Sequence, residues 1–235
     1  MKGGSCGGIA SFVSSFLLYT SPFFLGYWGT TALYAEEFSQ LSHYAAQMYP
    51  RGTVVVDTRV GDLIVEGWDE GRVEVEAEKL VQAASEAKAR RLYEQLKIEL
   101  KENDEEFRLR VISPPRRPWR LFRGATKLSV NLRIRMPIQA SLIVRCVDGD
   151  LRVRRVEGRQ EVRVSRGDVE INVPSLSHLR SLDARTWLGY VESDLPGRDS
   201  AGFARRVTFW NPSGEQDITV RVRLGGVYVY GNSGQ

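Results

Sequence analysis

The sequence predicts a mostly β fold, and the main observation behind this prediction is a pattern that recurs five times. In each copy a glycine stands between two short stretches in which apolar and polar residues alternate; the glycines are Gly61, Gly149, Gly167, Gly189 and Gly225. Alternation with a period of two indicates strands with one buried face, and the glycine indicates a tight corner. Intervals of 18 and 22 residues separate the second, third and fourth glycines. Such spacing predicts stacked coils, each of which buries its apolar face on the next.

The other elements follow from local changes in this pattern. Residues 36–50 are polar and mixed, so we expect a lead-in segment with little structure of its own. Over about 79–97 the apolar residues fall at helical spacing among good helix formers, which predicts one helix that covers a side or end of the sheets. Alternation on both sides of Asn103-Asp104 predicts a hairpin over about 97–112.

The last part of the chain contains one interval of a different length. The 36 residues from Gly189 to Gly225 equal two coils of 18 residues. Arg205–Trp210 would supply the strand of the coil that lacks its own glycine, with Val207 and Phe209 directed inward.

The first 35 residues form a separate segment. A stretch without charged residues extends from Gly3 to Ala35 after Lys2, and it includes an apolar run over residues 9–28. This layout is typical of a secretory signal peptide; a membrane anchor is the alternative, because about 20 residues can span a bilayer. We therefore expect an exported protein of the periplasm, cell envelope or medium, or one that residues 9–28 anchor to the membrane.

Composition and charge indicate a globular protein with an uneven surface. Hydrophobic residues make up 42% of the chain and charged residues 26%, which excludes a disordered chain. Residues 51–235 are long enough for one domain with its own core. Residues 36–110 hold 11 Lys and Arg against 17 Asp and Glu, whereas residues 111–235 hold 21 against 12. The basic half is a candidate surface for anionic partners.

A more specific pattern lies near the start of this domain. It consists of Gly67-Trp68-Asp69 followed by Val73-Glu74-Val75-Glu76-Ala77-Glu78-Lys79. Together with the later helix, hairpin, strand ending in Met136-Pro137 and Gly-Asp repeats, it resembles the bacterial "putative adhesin" family of β-strand repeats. The resemblance covers nearly all of residues 50–235. It implies a right-handed β-helix-like solenoid on an exported protein of the cell envelope, and no catalytic residues, because the family has no established ones.

Aspartates provide the first candidate for chemistry. Asp62, Asp150 and Asp168 each follow a repeat glycine, so their carboxylates could form a ladder that binds Ca²⁺ or acts as acid and base on a sugar. The alternative is that aspartate is a turn residue that hydrogen-bonds its own backbone. We favour the alternative, because Tyr190 and Gly226 replace the aspartate in the last two copies.

The remaining reactive residues lack the spacing of a catalytic or metal site. His43 and His178 are the only histidines, and no second ligand stands at metal-binding spacing from either. Cys146 occupies an inward repeat position, so we expect a buried, unreactive thiol. We predict a protein that is not an enzyme and that has no cofactor and no metal.

Arginines are the strongest candidates for a functional surface. Those that alternate with inward apolar residues must point outward, and stacked coils would align them in stripes about 4.8 Å apart. The stripes and one basic loop comprise Arg152, Arg154, Arg163, Arg221 and Arg223, and Arg116, Arg117, Arg120 and Arg123. They fit an anionic envelope polysaccharide, although outward strand positions also carry arginine simply as a polar residue. Nucleic acid suits the charge, but the predicted export disfavours it.

Tyr228 and Tyr230 would also face outward in the last coil. They could stack on sugar rings, contact another protein chain, or support the coils as a cross-strand aromatic pair. We therefore predict a non-enzymatic structural or binding module of the cell envelope. An envelope-stress sensor or regulatory protein–protein interaction domain is the alternative, and a carbohydrate-active β-helix enzyme is the third hypothesis.

Overall fold

The structure, a computed structural model of the protein, describes residues 36–83, 85–113, 128–200 and 204–231. This part of the chain is mostly β, as predicted, and includes one helix. The elements in chain order are β1 (Glu36–Gln47), β2 (Thr53–Val60), β3 (Leu63–Trp68), β4 (Arg72–Ala83), α1 (Glu86–Gln95), β5 (Lys97–Glu102), β6 (Glu106–Ile112), β7 (Leu128–Pro137), β8 (Ser141–Asp148), β9 (Leu151–Arg154), β10 (Gln160–Arg166), β11 (Val169–Val173), β12 (Leu179–Leu188), β13 (Val191–Ser193), β14 (Arg198–Ser200), β15 (Arg205–Trp210), β16 (Gln216–Leu224) and β17 (Val227–Gly231).

The strands form two mixed sheets. The first sheet has eight strands in the order β1-β4-β7-β3-β9-β11-β17-β13, and the second has nine in the order β14-β15-β12-β16-β10-β8-β2-β6-β5. Neighbours in the middle of each sheet are parallel, for example β8, β10 and β16. Antiparallel pairs lie towards the edges, where β1 pairs with β4 and β5 with β6.

Each of the five repeat glycines marks a corner where the chain leaves the second sheet and enters the first. All five have a φ between +126° and +153°. A Cβ on Gly167 would lie only 2.2 Å from the carbonyl oxygen of Gly149. The backbone conformation and the close approach of the next corner therefore both require glycine.

The corners stack in an order that differs from the chain order. A Cβ at each corner would touch the carbonyl of its neighbour, and these contacts give the order Gly61, Gly149, Gly167, Gly225, Gly189. The prediction of two successive coils between the last two glycines is therefore wrong. Instead β15 pairs antiparallel with β12, and β16 returns between β10 and β12. The inward side chains of β15 are as predicted, since Val207 is buried and Phe209 packs on the core.

The core lies between the two sheets and is built mainly from β-branched residues. Alternate positions of the second sheet supply side chains such as Val144, Val162 and Val220, which are fully buried. The first sheet supplies Ile171 and Val229 in the same way. Burial of these inner faces leaves polar side chains on the outer faces, so candidate binding surfaces lie there.

Two predicted boundaries are wrong. The lead-in of residues 36–50 contains β1, which pairs with β4 over twelve register positions. The helix is shorter than the predicted 79–97, because β4 continues to Ala83 and α1 begins only at Glu86. Ser85 caps α1 by accepting the backbone N–H of Lys88. The hairpin of β5 and β6 lies where it was predicted.

Two sequence predictions concern residues outside the described ones. They are the signal peptide or anchor over residues 1–35 and the basic loop with Arg116, Arg117, Arg120 and Arg123. The one helix among the described residues, α1, is too short and too polar to cross a bilayer.

Candidate functional surfaces

The outer face of the second sheet carries a row of arginines that crosses five neighbouring strands. Arg145 on β8 is the register partner of Arg163 on β10, which in turn pairs with Arg221 on β16. Arg221 lies opposite Arg185 on β12, and Arg185 opposite Arg206 on β15. We call these five residues the arginine row. Because neighbouring strands lie about 4.8 Å apart, the row is about 19 Å long.

Acidic residues neutralise the arginine row only in part. Three of its members pair with a carboxylate. The nitrogen–oxygen distance is 3.5 Å for Arg145 and Asp57, 2.7 Å for Arg163 and Glu161, and 2.7 Å for Arg206 and Asp183. Arg185 and Arg221 make no side-chain hydrogen bond or ion pair within the described part of the chain. Like charges on neighbouring strands repel, so this arrangement lowers the stability of the sheet. A row that is unfavourable for folding is a candidate for binding an anion.

Four members of the row share one sequence position, four residues before a repeat glycine. Of these, Arg163 and Arg221 were predicted as site residues, whereas Arg145 and Arg185 were missed although the same spacing marks them. Arg206 carries no such signal, because β15 is antiparallel and has no repeat glycine. The predicted Arg223 lies on the same outer face, two residues beyond Arg221, and is exposed.

The other two arginines of the predicted stripes lie on the outer face of the first sheet. Arg152 and Arg154 belong to β9 in the first sheet, and both approach Glu170, at 3.5 and 3.8 Å. Glu74 lies opposite Arg135 in the same sheet. The outer face of the first sheet therefore has mixed charge. The predicted set of basic stripes is divided between two faces, and the arginine row lies on the second sheet.

The aspartates of the corners hydrogen-bond the backbone of the next corner. Asp62 accepts the backbone N–H of Asp150 at 3.1 Å, Asp150 accepts that of Asp168 at 2.9 Å, and Asp168 accepts that of Gly226 at 2.7 Å. These carboxylates thus join neighbouring corners, whereas we expected each to bond its own backbone. Within the described ranges, no group of three or more His, Cys, Asp or Glu side chains could hold a metal ion.

Three tyrosines form a cluster on the outer face of the first sheet. The rings of Tyr190 and Tyr228 meet edge to face with centroids 5.6 Å apart, and Tyr228 stacks on Tyr230 at 6.5 Å. Tyr228 donates a hydrogen bond of 2.7 Å to the Tyr190 hydroxyl, which raises the pKa of Tyr228. A Cβ on Gly226 would lie 3.0 Å from the Tyr228 ring. Glycine in place of aspartate at position 226 thus leaves room for the rings of Tyr228 and Tyr190, and Tyr190 in place of aspartate supplies one member of the cluster.

The cysteine and the histidines show no catalytic arrangement in the described part of the chain. Burial raises the pKa of the Cys146 thiol to about 11, so the thiol is protonated and unreactive at neutral pH. His43 faces outward on β1 with its Nδ1 3.7 Å from the Glu76 carboxylate. His178 lies in a turn, where its carbonyl accepts the backbone N–H of Gln216. No described hydrogen bond joins a serine hydroxyl to either histidine.

Comparison with known proteins gives matches to solved structures only. No family model and no curated protein match the sequence. A putative cell adhesion protein from Clostridium sporogenes is 8% identical, over 82% of this chain and 100% of its own, with a TM-score of 0.50. The two chains share a fold. Putative adhesins from Bacteroides fragilis and Parabacteroides distasonis are 10% and 9% identical, over 82% of this chain and 97% of theirs, each with a TM-score of 0.24.

Proposed function

We propose that the protein is a non-enzymatic binding module of the cell envelope, and that its arginine row binds anionic glycans. The observation that supports this most directly is the alignment of five outward arginines on neighbouring strands. Guanidinium groups form charge-assisted, often bidentate hydrogen bonds with sulfate, phosphate and carboxylate. A linear polymer that lies across the strands would meet one guanidinium about every 4.8 Å.

The scaffold suits binding by many weak contacts. Parallel strands in matched register and the stacked glycine corners support the proposal that the central coils form a right-handed β-helix-like solenoid. Because the inner faces pack in one continuous core, the arginine side chains project from a rigid surface. Rigidity reduces the entropy that is lost when a polymer binds, so several modest contacts can add up.

The proposed location is outside the cytoplasm. It is supported by the uncharged apolar segment at the start of the chain and by the resemblance to an envelope family. The N-terminal residue of the protein from fractionated native cells tests this. A start near Leu33 or Glu36 in a soluble envelope fraction supports a cleaved signal peptide, and an intact Met1 in the membrane fraction supports an anchor.

A matched pair of double variants tests the binding proposal. Arg163→Gln/Arg221→Gln removes two charges from the arginine row, and Arg152→Gln/Arg154→Gln removes two from the opposite face. The net charge of the chain therefore changes equally in both. With dextran sulfate as the probe and neutral dextran of equal length as the blank, we expect about tenfold weaker binding for the first variant and little change for the second. Binding should also weaken as salt is raised.

Equal losses in both variants would mean attraction to net charge rather than to the row. Binding that depends on neither variant and not on salt would favour the second candidate, a sensor or regulatory domain that contacts another protein. The observation behind that candidate is that the neighbouring strands β12 and β15 carry exposed apolar side chains, two at the end of β12 and one on β15 opposite Ser181 near the start of β12. Trp187, Leu188 and Trp210 are 62%, 52% and 68% exposed. The tyrosine cluster, with Tyr228 and Tyr230, is the proposed aromatic contact of either partner.

A further inference from the structure

The four edges of the two sheets differ in how they are protected from pairing with another chain. In the described part of the chain the edge strands are β1 and β13 in the first sheet and β5 and β14 in the second. β13 and β14 have three residues each, and β5 places two lysines and two glutamates among six residues. Short length and charge are the usual means by which an edge avoids pairing.

β1 is not short, and its two charged residues, Glu36 and Glu37, lie at one end and leave the rest of the edge without charge protection. It is twelve residues long, contains no lysine, arginine or proline, and pairs with β4 over twelve consecutive register positions without a bulge. Its other edge pairs with no strand among the described residues. The middle of its outward face carries Leu41, which is 58% exposed. Its inward Phe38 and Tyr44 are only partly buried. A long, regular edge with unpaired backbone groups is a template for an added strand.

We propose that β1 pairs in antiparallel fashion with β1 of a second copy of this chain, about a two-fold axis that passes beside Leu41. In this register each odd-numbered residue pairs with an odd-numbered residue and each even-numbered residue with an even-numbered one. The two side chains of a pair therefore lie on the same face of the joined sheet. Leu41 lies opposite its own copy, and Phe38 opposite Tyr44. The two acidic residues at the start of β1 lie opposite two alanines near its end.

This register is favoured over the alternatives by charge and by packing. Parallel self-pairing in register would set Glu36 and Glu37 beside their own copies, which is unfavourable. The antiparallel register sets no like charges opposite each other and adds an aromatic pair on each side of the axis. It would also form about ten backbone hydrogen bonds across the axis. The edge of β1 is therefore complementary to itself.

The proposed dimer joins two eight-stranded sheets into one. A two-fold axis perpendicular to the sheet turns the outer faces of both second sheets to the same side. Both arginine rows would then face one long polymer. Only this consequence rests on the proposed glycan binding, since the pairing itself rests on β1.

The oligomeric state of the full chain is the first test, by analytical ultracentrifugation. We expect the wild type to be a dimer and Leu41→Lys to be a monomer, because two lysines would meet at the axis. Leu41→Glu should also be a monomer, and an equimolar mixture of the two variants should dimerise again. Val147→Lys, an equivalent change at a side chain 46% exposed on the second sheet, should leave the dimer intact.

Cysteine cross-linking tests the register in the Cys6→Ser background. Leu41→Cys should form a disulfide dimer on mild oxidation. Ser39→Cys alone should not, because its two copies would be about 14 Å apart, beyond the reach of a disulfide. A mixture of Ser39→Cys and His43→Cys should cross-link. A monomeric wild type, a dimer that survives Leu41→Lys, or equal cross-linking of Ser39→Cys alone would overturn the proposal. Dextran sulfate binding by the monomer is measured separately, so failure of one proposal does not affect the other.

Discussion

Single residues decide the geometry of the corners, and Gly167 shows how. Its φ is +130°, and a Cβ added there would lie 2.2 Å from the Gly149 carbonyl oxygen, so there is no space for a side chain. We expect Gly167→Ala to lower the free energy of unfolding by about 3 kcal/mol or more, as measured by urea titration. Gly71→Ala is the control, because a Cβ there meets no atom closer than 3.7 Å. Similar losses in the two variants would contradict the requirement for glycine at the corner.

The arginine row makes an opposite prediction about stability. Arg221 lies between Arg163 and Arg185 and has no acidic partner among the described residues. Replacing it with glutamine removes repulsion on both sides, so we expect Arg221→Gln to raise the free energy of unfolding by about 0.5 kcal/mol. The same change should weaken dextran sulfate binding. A variant that is both less stable and unchanged in binding would show that Arg221 serves the fold.

At the level of elements, the β5–β6 hairpin depends on one side chain. The Asn103 Oδ1 accepts the backbone N–H groups of Glu105 and Glu106, at 3.0 and 2.6 Å. We expect Asn103→Ala to lower the free energy of unfolding by about 1 to 2 kcal/mol, whereas Asn103→Asp keeps the acceptor and should cost less. Urea unfolding of the two variants measures the difference. Equal losses would mean that the amide nitrogen, rather than the oxygen, holds the turn.

Elements with local signals could be predicted from the sequence, and those set by distant contacts could not. The corners and the hairpin were predicted because glycine, alternation and Asn103-Asp104 are local features. The end of β4 was assigned to the helix because Leu80 begins a series of apolar residues at helical spacing. The pairing of this segment with β1 and β7 makes it a strand. β1 itself was missed because its mixed composition becomes a strand only beside β4.

The same distinction applies to the candidate site. Outward arginines follow from alternation, so Arg163 and Arg221 could be predicted to point to solvent. Which arginines share a face depends on strand order, and this order places Arg152 in the other sheet. It also brings in Arg206 from an antiparallel strand. Strand order is set by packing between segments far apart in the chain, which no local pattern records.

For the whole molecule, the arginine row and the unpaired edge of β1 together predict that binding affinity depends on the length of the polymer. A dimer with two arginine rows on one side should bind a long dextran sulfate more tightly than an oligomer about 20 Å long, which spans one row. The second row binds without a further loss of translational freedom, so we expect at least about a tenfold difference. Leu41→Lys, with one row per particle, should bind both probes with the affinity of the short one. Isothermal titration calorimetry at a protein concentration where the wild type is dimeric measures both ratios. An equally large length effect in the variant would mean that one row binds long polymers unaided, and that the dimer does not contribute to binding.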